Sequence, residues 1–338
     1  MNDITETADT EPLDENKSQD SVEPTKFKQT FINRFGHIRA GWRMMIYLVI
    51  VGVLSSFPFR YLHKFLKDFL PNSEEFLTPS MLIQYVFIII SFVLTAYIVL
   101  KWIDKRPFGV IGMNLYEGWL KELSVGMGFG FGLLTLLFLV FWVTGLVDVT
   151  AGAMNSTVAI SMSKFLFLFI LVGFFEELMT RGYLFQAFIE GSNRWIATII
   201  LSLAFSLIHM ANPNFSASGA LNIFLAGMLL SIAYLKTLSL WMPIGIHIAW
   251  NWTQGPLWGM NVSGIDIKDS FLVSSPQGPE LLSGGEFGAE GSLISAVAIA
   301  ALCWYLWKAD WIKPSEANAS IWRKYPSGYG VEPVDREM

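Results

Sequence analysis

Two stretches of the chain, Ser80 to Leu100 and Leu123 to Val147, contain no Asp, Glu, Lys or Arg. Each is as long as the roughly 20 apolar residues that a helix needs to cross a bilayer. Within hydrocarbon the backbone must satisfy its own polar groups, so runs of this kind fold as helices. The same rule picks out six further runs: Met44 to Phe59, Phe165 to Ile189, Trp195 to Ala211, Ala220 to Leu235, Leu238 to Trp258 and Ser292 to Trp307. The expected fold is an all-α polytopic membrane protein of about eight transmembrane helices. Composition agrees, since 53% of the 338 residues are hydrophobic and only 15% charged, and a mean hydropathy of +0.47 is too high for a soluble domain of this length.

The charged residues gather outside these runs. Residues 1–25 carry Asp3, Glu6, Asp9, Glu11, Asp14, Glu15, Asp20 and Glu23; they read as a disordered acidic tail and lack the apolar core of a signal peptide. Residues 26–43 reverse the sign, with Lys26, Lys28, Arg34, Arg39 and Arg43. The transmembrane domain is expected over 44–307 and a tail over 308–338, where Lys308, Lys313, Arg323 and Lys324 restore positive charge. Basic flanks at both ends and an even number of spans put both termini on the cytoplasmic side. One loop, with Arg60, Lys64 and Lys67, is discordant, although Asp68, Glu74 and Glu75 follow it. The net charge of −5 offers no basic face, which excludes a nucleic-acid partner. A single cysteine, Cys303, excludes a disulfide framework and a Cys-rich metal site. The Gly-, Ser- and Pro-rich stretch Gly259 to Gly291 reads as an exterior or partly re-entrant loop that covers a site opening. Trp42, Trp102, Trp119, Trp195, Trp241 and Trp311 fall near span ends and read as interface anchors.

The chemistry is concentrated in spans four, five and seven. A charged side chain at the middle of a span costs roughly 2.5 to 3.5 kcal/mol on insertion scales, so it needs a partner or a task. Span four holds three such residues in the pattern Glu176-Glu177-x-x-x-Arg181. Residues four apart share a helical face, so Glu177 and Arg181 can pair while Glu176 points elsewhere. His209 closes span five, and His247 and Asn251 lie four apart on span seven. A carboxylate, two imidazoles and an amide are the parts of a water-activating amide hydrolase: a base, a proton-sharing group and donors for an oxyanion. Glu176, His209 and His247 would equally supply three zinc ligands with a fourth position open. The residues alone leave both schemes standing. Patterns of other intramembrane proteases, H-E-x-x-H, G-x-S-G and G-x-G-D, do not occur; Ser218, before Gly219, reads as a helix N-cap.

Glu176, Glu177 and Arg181, then Phe205 and His209, then His247, then Asn251, in that order and spread over spans four, five and seven, resemble the motifs of the CAAX-type prenyl endopeptidase and bacteriocin-processing family of intramembrane proteases, particularly its bacterial members. The motif-bearing likeness covers Phe165 to Trp258. It implies an integral endopeptidase, in a bacterial cell membrane, acting on a membrane-associated peptide or protein. In that scheme Glu176 and His209 activate water, His247 and Asn251 stabilise the oxyanion, and Glu177 and Arg181 support them. Two readings of other classes compete: a non-proteolytic immunity or scaffold protein held together by the same cluster, and a proton-linked transporter, for which no inverted repeat is evident.

Overall fold

The structure, a computed structural model, describes residues 30–33, 37–69 and 78–324. The acidic stretch 1–25, the acidic pair Glu74 and Glu75, and residues 325–338 lie outside the described residues. The chain divides after Arg39 into two units. The described part of the first contains an antiparallel bridge between Ile32 and Ile38.

The second unit is helical: α1 (Ala40–Phe69), α2 (Pro79–Ile98, continued by a π-turn Val99–Asp104), α3 (Trp119–Val143), α4 (Ser156–Arg181), α5 (Tyr183–Gly191), α6 (Arg194–Ile208, closed by a 3₁₀ turn His209–Ala211), α7 (Ala217–Thr237), α8 (Trp241–Trp252, continued by a π-turn Thr253–Leu257), α9 (Leu293–Lys308) and α10 (Glu316–Lys324). Among the described residues five helical stretches are long and apolar enough to cross a membrane: Pro79–Asp104, Trp119–Val143, Ser156–Gly191, Arg194–Ala211 and Ala217–Thr237. Ala40–Ser56 and Leu293–Lys308 are shorter apolar helices. The protein is an all-α, multi-pass membrane protein, but the expected eight spans are reached only by counting shorter helices.

The seventh expected span is set apart by its burial. Within Leu238 to Trp258 the helix runs through α8 and its π-turn to Leu257, about 25 Å at about 1.5 Å per residue, against a hydrocarbon core of about 30 Å. Every residue from Trp241 to Asn251 is buried by protein. Glycines make that enclosure possible. A Cβ on Gly126 or Gly130 of α3 would stand 2.2 Å from the Met242 carbonyl or 2.4 Å from the Ile246 carbonyl, and one on Gly245 of α8 would stand 2.2 Å from the Leu123 carbonyl. The two backbones therefore touch, as small residues allow between membrane helices. Glu122 of α3 adds a capping bond by accepting from the Met242 backbone N–H at 3.3 Å, one of the donors that a helix start leaves free.

At the opposite end of α4–α5, a buried ionic cluster ties three helix ends together. Arg43 of α1 meets Asp104 at 3.0 Å and Glu190 of α5 at 2.6 Å, and Arg106 reaches Glu190 at 3.0 Å. From the tight link after Gly191, capped by Asn193 accepting from the N–H groups of Trp195 and Ile196, Glu176 and His209 each lie about fifteen residues away, or about 22 Å of helix.

Several local expectations are corrected. Arg60, Lys64 and Lys67 belong to the continuation of α1 to Phe69 rather than to a loop. The N-cap of α7 is Ser216, whose hydroxyl accepts from Gly219 N at 3.0 Å, and Ser218 sits inside the first turn. Trp241 is buried instead of anchoring at an interface; its indole donates to the Asn114 carbonyl at 2.8 Å and packs on Trp119. The stretch 259–291 is more ordered than a simple loop. Its strand β2 (Leu272–Pro276) pairs antiparallel with β1 (Val147–Ala151), Val147 opposite Pro276 and Ala151 opposite Leu272.

Replacing Gly130 with leucine inserts a side chain where two backbones meet, and overpacking of this kind costs about 1–3 kcal/mol. The expected outcome is a lowered melting temperature of the detergent-solubilised protein. Gly128→Leu is the control, since a Cβ there meets nothing within 4 Å, and it should melt like the parent.

Candidate active site

Arg181 is the deepest charge of the site. Neither it nor Glu177 exposes any surface, and an unpaired charge at that depth would be costly. Each side of the guanidinium is answered. Nη1 donates to both Glu177 oxygens, at 3.0 and 3.2 Å, and to the Thr180 hydroxyl at 2.9 Å. Nη2 donates to the Gly227 carbonyl of α7 at 2.7 Å, Nε to Ser231 at 3.3 Å, and the Phe205 ring lies 5.0 Å from the guanidinium carbon. The i,i+4 pair expected from the sequence is present, and it reaches further than one helix. Glu177 Oε1 also accepts from His247 Nδ1 at 2.9 Å, so the ion pair on α4 fixes the imidazole on α8.

Glu176, on the adjoining face of α4, meets both imidazoles. Its Oε2 lies 3.6 Å from His247 Nε2 and 3.9 Å from His209 Nε2, beyond hydrogen-bonding range, and it is buried with no hydrogen-bond partner. The two rings are held differently. His209 Nδ1 faces the Phe205 carbonyl at 2.8 Å, which can only accept, so this nitrogen carries a proton. His247 donates instead to a carboxylate. Phe205 packs edge-on against both rings, with centroids 4.7 Å from His209 and 6.2 Å from His247. A cavity of about 230 Å³ brings Glu176, His209, His247 and Asn251 together with Phe205 in its wall. Glu177 and Arg181 stand behind it.

Zinc was an open alternative. Ligands of a tetrahedral zinc at about 2.0–2.1 Å stand about 3.3 Å apart. The separations here are 3.6 and 3.9 Å, and among the described residues no three His, Cys, Asp or Glu side chains are grouped to hold a metal ion. The donor types suit zinc but their placement does not, and no step below passes through a metal.

Residues that sequence reasoning missed complete the wall. Asn222 of α7, 1% exposed, donates to the carbonyls of Glu290 and Ser292, both at 2.7 Å. Glu290, near the end of the 259–291 stretch, accepts from Trp250 Nε1 at 3.0 Å and from Ser263 N and Oγ at 2.5 and 2.9 Å. Burial holds its carboxyl above the ordinary range, opposed chiefly by the bonds from Ser263. Asn222 carried a usable signal, being an amide inside an apolar run. Glu290 carried less, a lone acid at the edge of the last run.

Apolar helices thus close around a carboxylate and two imidazoles, and the long apolar helices define an integral membrane protein. Residues 158–253, well under half of the chain, match the family model described as Type II CAAX prenyl endopeptidase Rce1-like. The resemblance to CAAX-type endopeptidases therefore holds over the segment that carries all seven motif residues, and it supports a protease of the membrane. No curated protein and no solved structure matches the chain.

Truncating Arg181 to alanine would strand the Glu177 charge, and breaking a buried pair in this way costs about 3–5 kcal/mol. We expect Arg181→Ala to accumulate poorly and to melt early by intrinsic fluorescence. Melting unchanged from the parent would show that the pair contributes nothing to the fold.

Proposed function

We propose that this protein is an intramembrane endopeptidase that hydrolyses a peptide bond of a membrane-associated substrate with water activated by Glu176 and His209. The observation that carries this reading is that two imidazole Nε2 atoms, from helices otherwise built of apolar residues, turn to the same oxygen of a carboxylate that lacks a partner of its own.

The Nδ1 contacts divide the labour between the rings. His209, with its proton committed to the Phe205 carbonyl, presents a lone pair to water and orients it. Glu176 takes a proton from that water as the oxygen adds to the scissile carbonyl carbon. The carbonyl oxygen becomes an oxyanion that accepts from the Asn251 amide and from His247 Nε2. To donate there while Nδ1 donates to Glu177, His247 acts as the imidazolium, and the buried Glu177 carboxylate stabilises that charge. The C–N bond then breaks, the proton on Glu176 passes to the departing amine, and the carboxylic acid formed passes its remaining proton to the amine as the two products leave the site as carboxylate and ammonium. Removal of bulk water by the surrounding helices strengthens each of these electrostatic contacts.

Glu176→Gln keeps the shape and removes the base, so turnover of a membrane-peptide library by the purified protein should fall about 10³-fold, within the range for general-base removal. Asn251→Ala should fall about 10²-fold with little change in KM, as for loss of one oxyanion donor. A folded Glu176→Gln protein that cleaves at the parental rate would overturn the mechanism. Chelation of divalent cations should leave turnover at its original rate; activity lost to a chelator and restored by zinc alone would reinstate the metal scheme.

A further inference from the structure

Glu290 is a buried carboxyl that the hydrolytic scheme does not use. Among the described residues it forms no ion pair. Placing such a group in a protein interior is unfavourable unless its oxygens are hydrogen-bonded. All of its donors come from elements that wall the catalytic cavity. Trp250, which donates to one oxygen, precedes Asn251 on α8. Ser263, which donates twice to the other, forms the corner of the exterior segment.

That corner is a two-residue turn. Val262 and Ile265 bridge as an antiparallel pair, and Ser263 and Gly264 between them both have positive φ, 48° and 82°. Hairpin turns of this kind favour Asn-Gly or Gly-Gly, and serine in the left-handed region is disfavoured. The turn is nevertheless pinned from three sides. Besides the bonds to Glu290, the Ser263 carbonyl accepts from Asn212 Nδ2 at 3.1 Å, and Gly264 N donates to the Phe287 carbonyl at 3.0 Å. Asn212 follows the turn that bears His209. A Cβ on Gly264 would lie 1.9 Å from the Pro213 carbonyl, so the tip is seated against that segment. Val262, Ser263 and Ile265 line the cavity.

We infer that Glu290 is a positioning residue that latches the Val262–Ile265 turn over the cavity and so sets the access of substrate to Glu176. The inference rests on the proteolytic reading for its consequence in catalysis, but the latch itself is testable without turnover. Glutamine at 290 keeps the size of the side chain and places an NH₂ group against either the Trp250 donor or the two Ser263 donors, so one side of the latch opens.

The test uses the full chain in detergent micelles, with Cys303→Ala as background and Ala226→Cys as a reporter in the cavity wall. A water-soluble maleimide reads how often the cavity opens. Glu290→Gln should raise the labelling rate about tenfold, the effect of losing about 1.4 kcal/mol, the net contribution of one hydrogen bond. Ser263→Ala removes one donor only and should move the rate in the same direction by less. Against a cleavable membrane peptide, Glu290→Gln should change KM while kcat stays close to the parent. Parental labelling rates in both folded variants would overturn the latch, and so would a fall in kcat with labelling unchanged. Should Glu290→Gln fail to fold, the Ser263→Ala rate alone decides. Labelling that rises in a protein with no proteolytic activity would retain the latch and reject the protease.

Discussion

The site depends on the neutralisation of one guanidinium. Arg181 has no water to solvate it, and the groups that replace water come from three helices: Glu177 and Thr180 on its own helix, Phe205 on α6, and Gly227 and Ser231 on α7. Because each bond has a direction, the arginine fixes how these helices face one another. Glu177 passes that order on to α8 through His247. With the arginine as its anchor, the cluster leaves Glu176 on the adjoining face of α4, turned to the cavity.

Two packing devices hold this arrangement within a lipid solvent, where helix association gains little from apolar burial. One is close backbone contact, made by Gly126, Gly130 and Gly245 between α3 and α8. The other is buried polar bonding, as where Glu122 caps α8 or Arg43 binds Asp104 and Glu190. Both are short-range and directional, so they specify register more strongly than leucine-rich surfaces would. The outer faces of α2, α3 and α6 stay apolar and exposed, with Ile90, Leu136 and Ile199 among the examples, as a lipid-facing surface requires.

Much of this was legible in the sequence because the membrane penalises polar residues so heavily. The pairing of Glu177 with Arg181 follows from helical periodicity, and the remaining carboxylate of Glu176 follows from that pairing. The contact from His247 to Glu177 did not follow, since it joins helices 70 residues apart in sequence and no local period records it. Hydropathy also left the surroundings of α8 unread. The run Leu238 to Trp258 is apolar enough for a span, but apolar composition serves equally for a helix buried in protein, and only the contacts with α3 separate the two cases. Trp241 illustrates the same ambiguity, being placed at a helix end by the sequence and in the core by its bond to Asn114. Six of the seven motif residues stand out because their types are rare in such surroundings, whereas Phe205 is marked only by the family resemblance. Glu290 was passed over because an acid in a Gly-rich segment is unremarkable until its partners are known.

A helix of 12 residues that carries a histidine and an asparagine gains little from lipid on its own. Since α8 is enclosed by the rest of the bundle, its polar side chains are met by α3, α4 and α7 in place of lipid. Two of the four residues of the proposed catalytic set, His247 and Asn251, are thereby held by the walls of their own container, and any loosening of those walls reaches them directly.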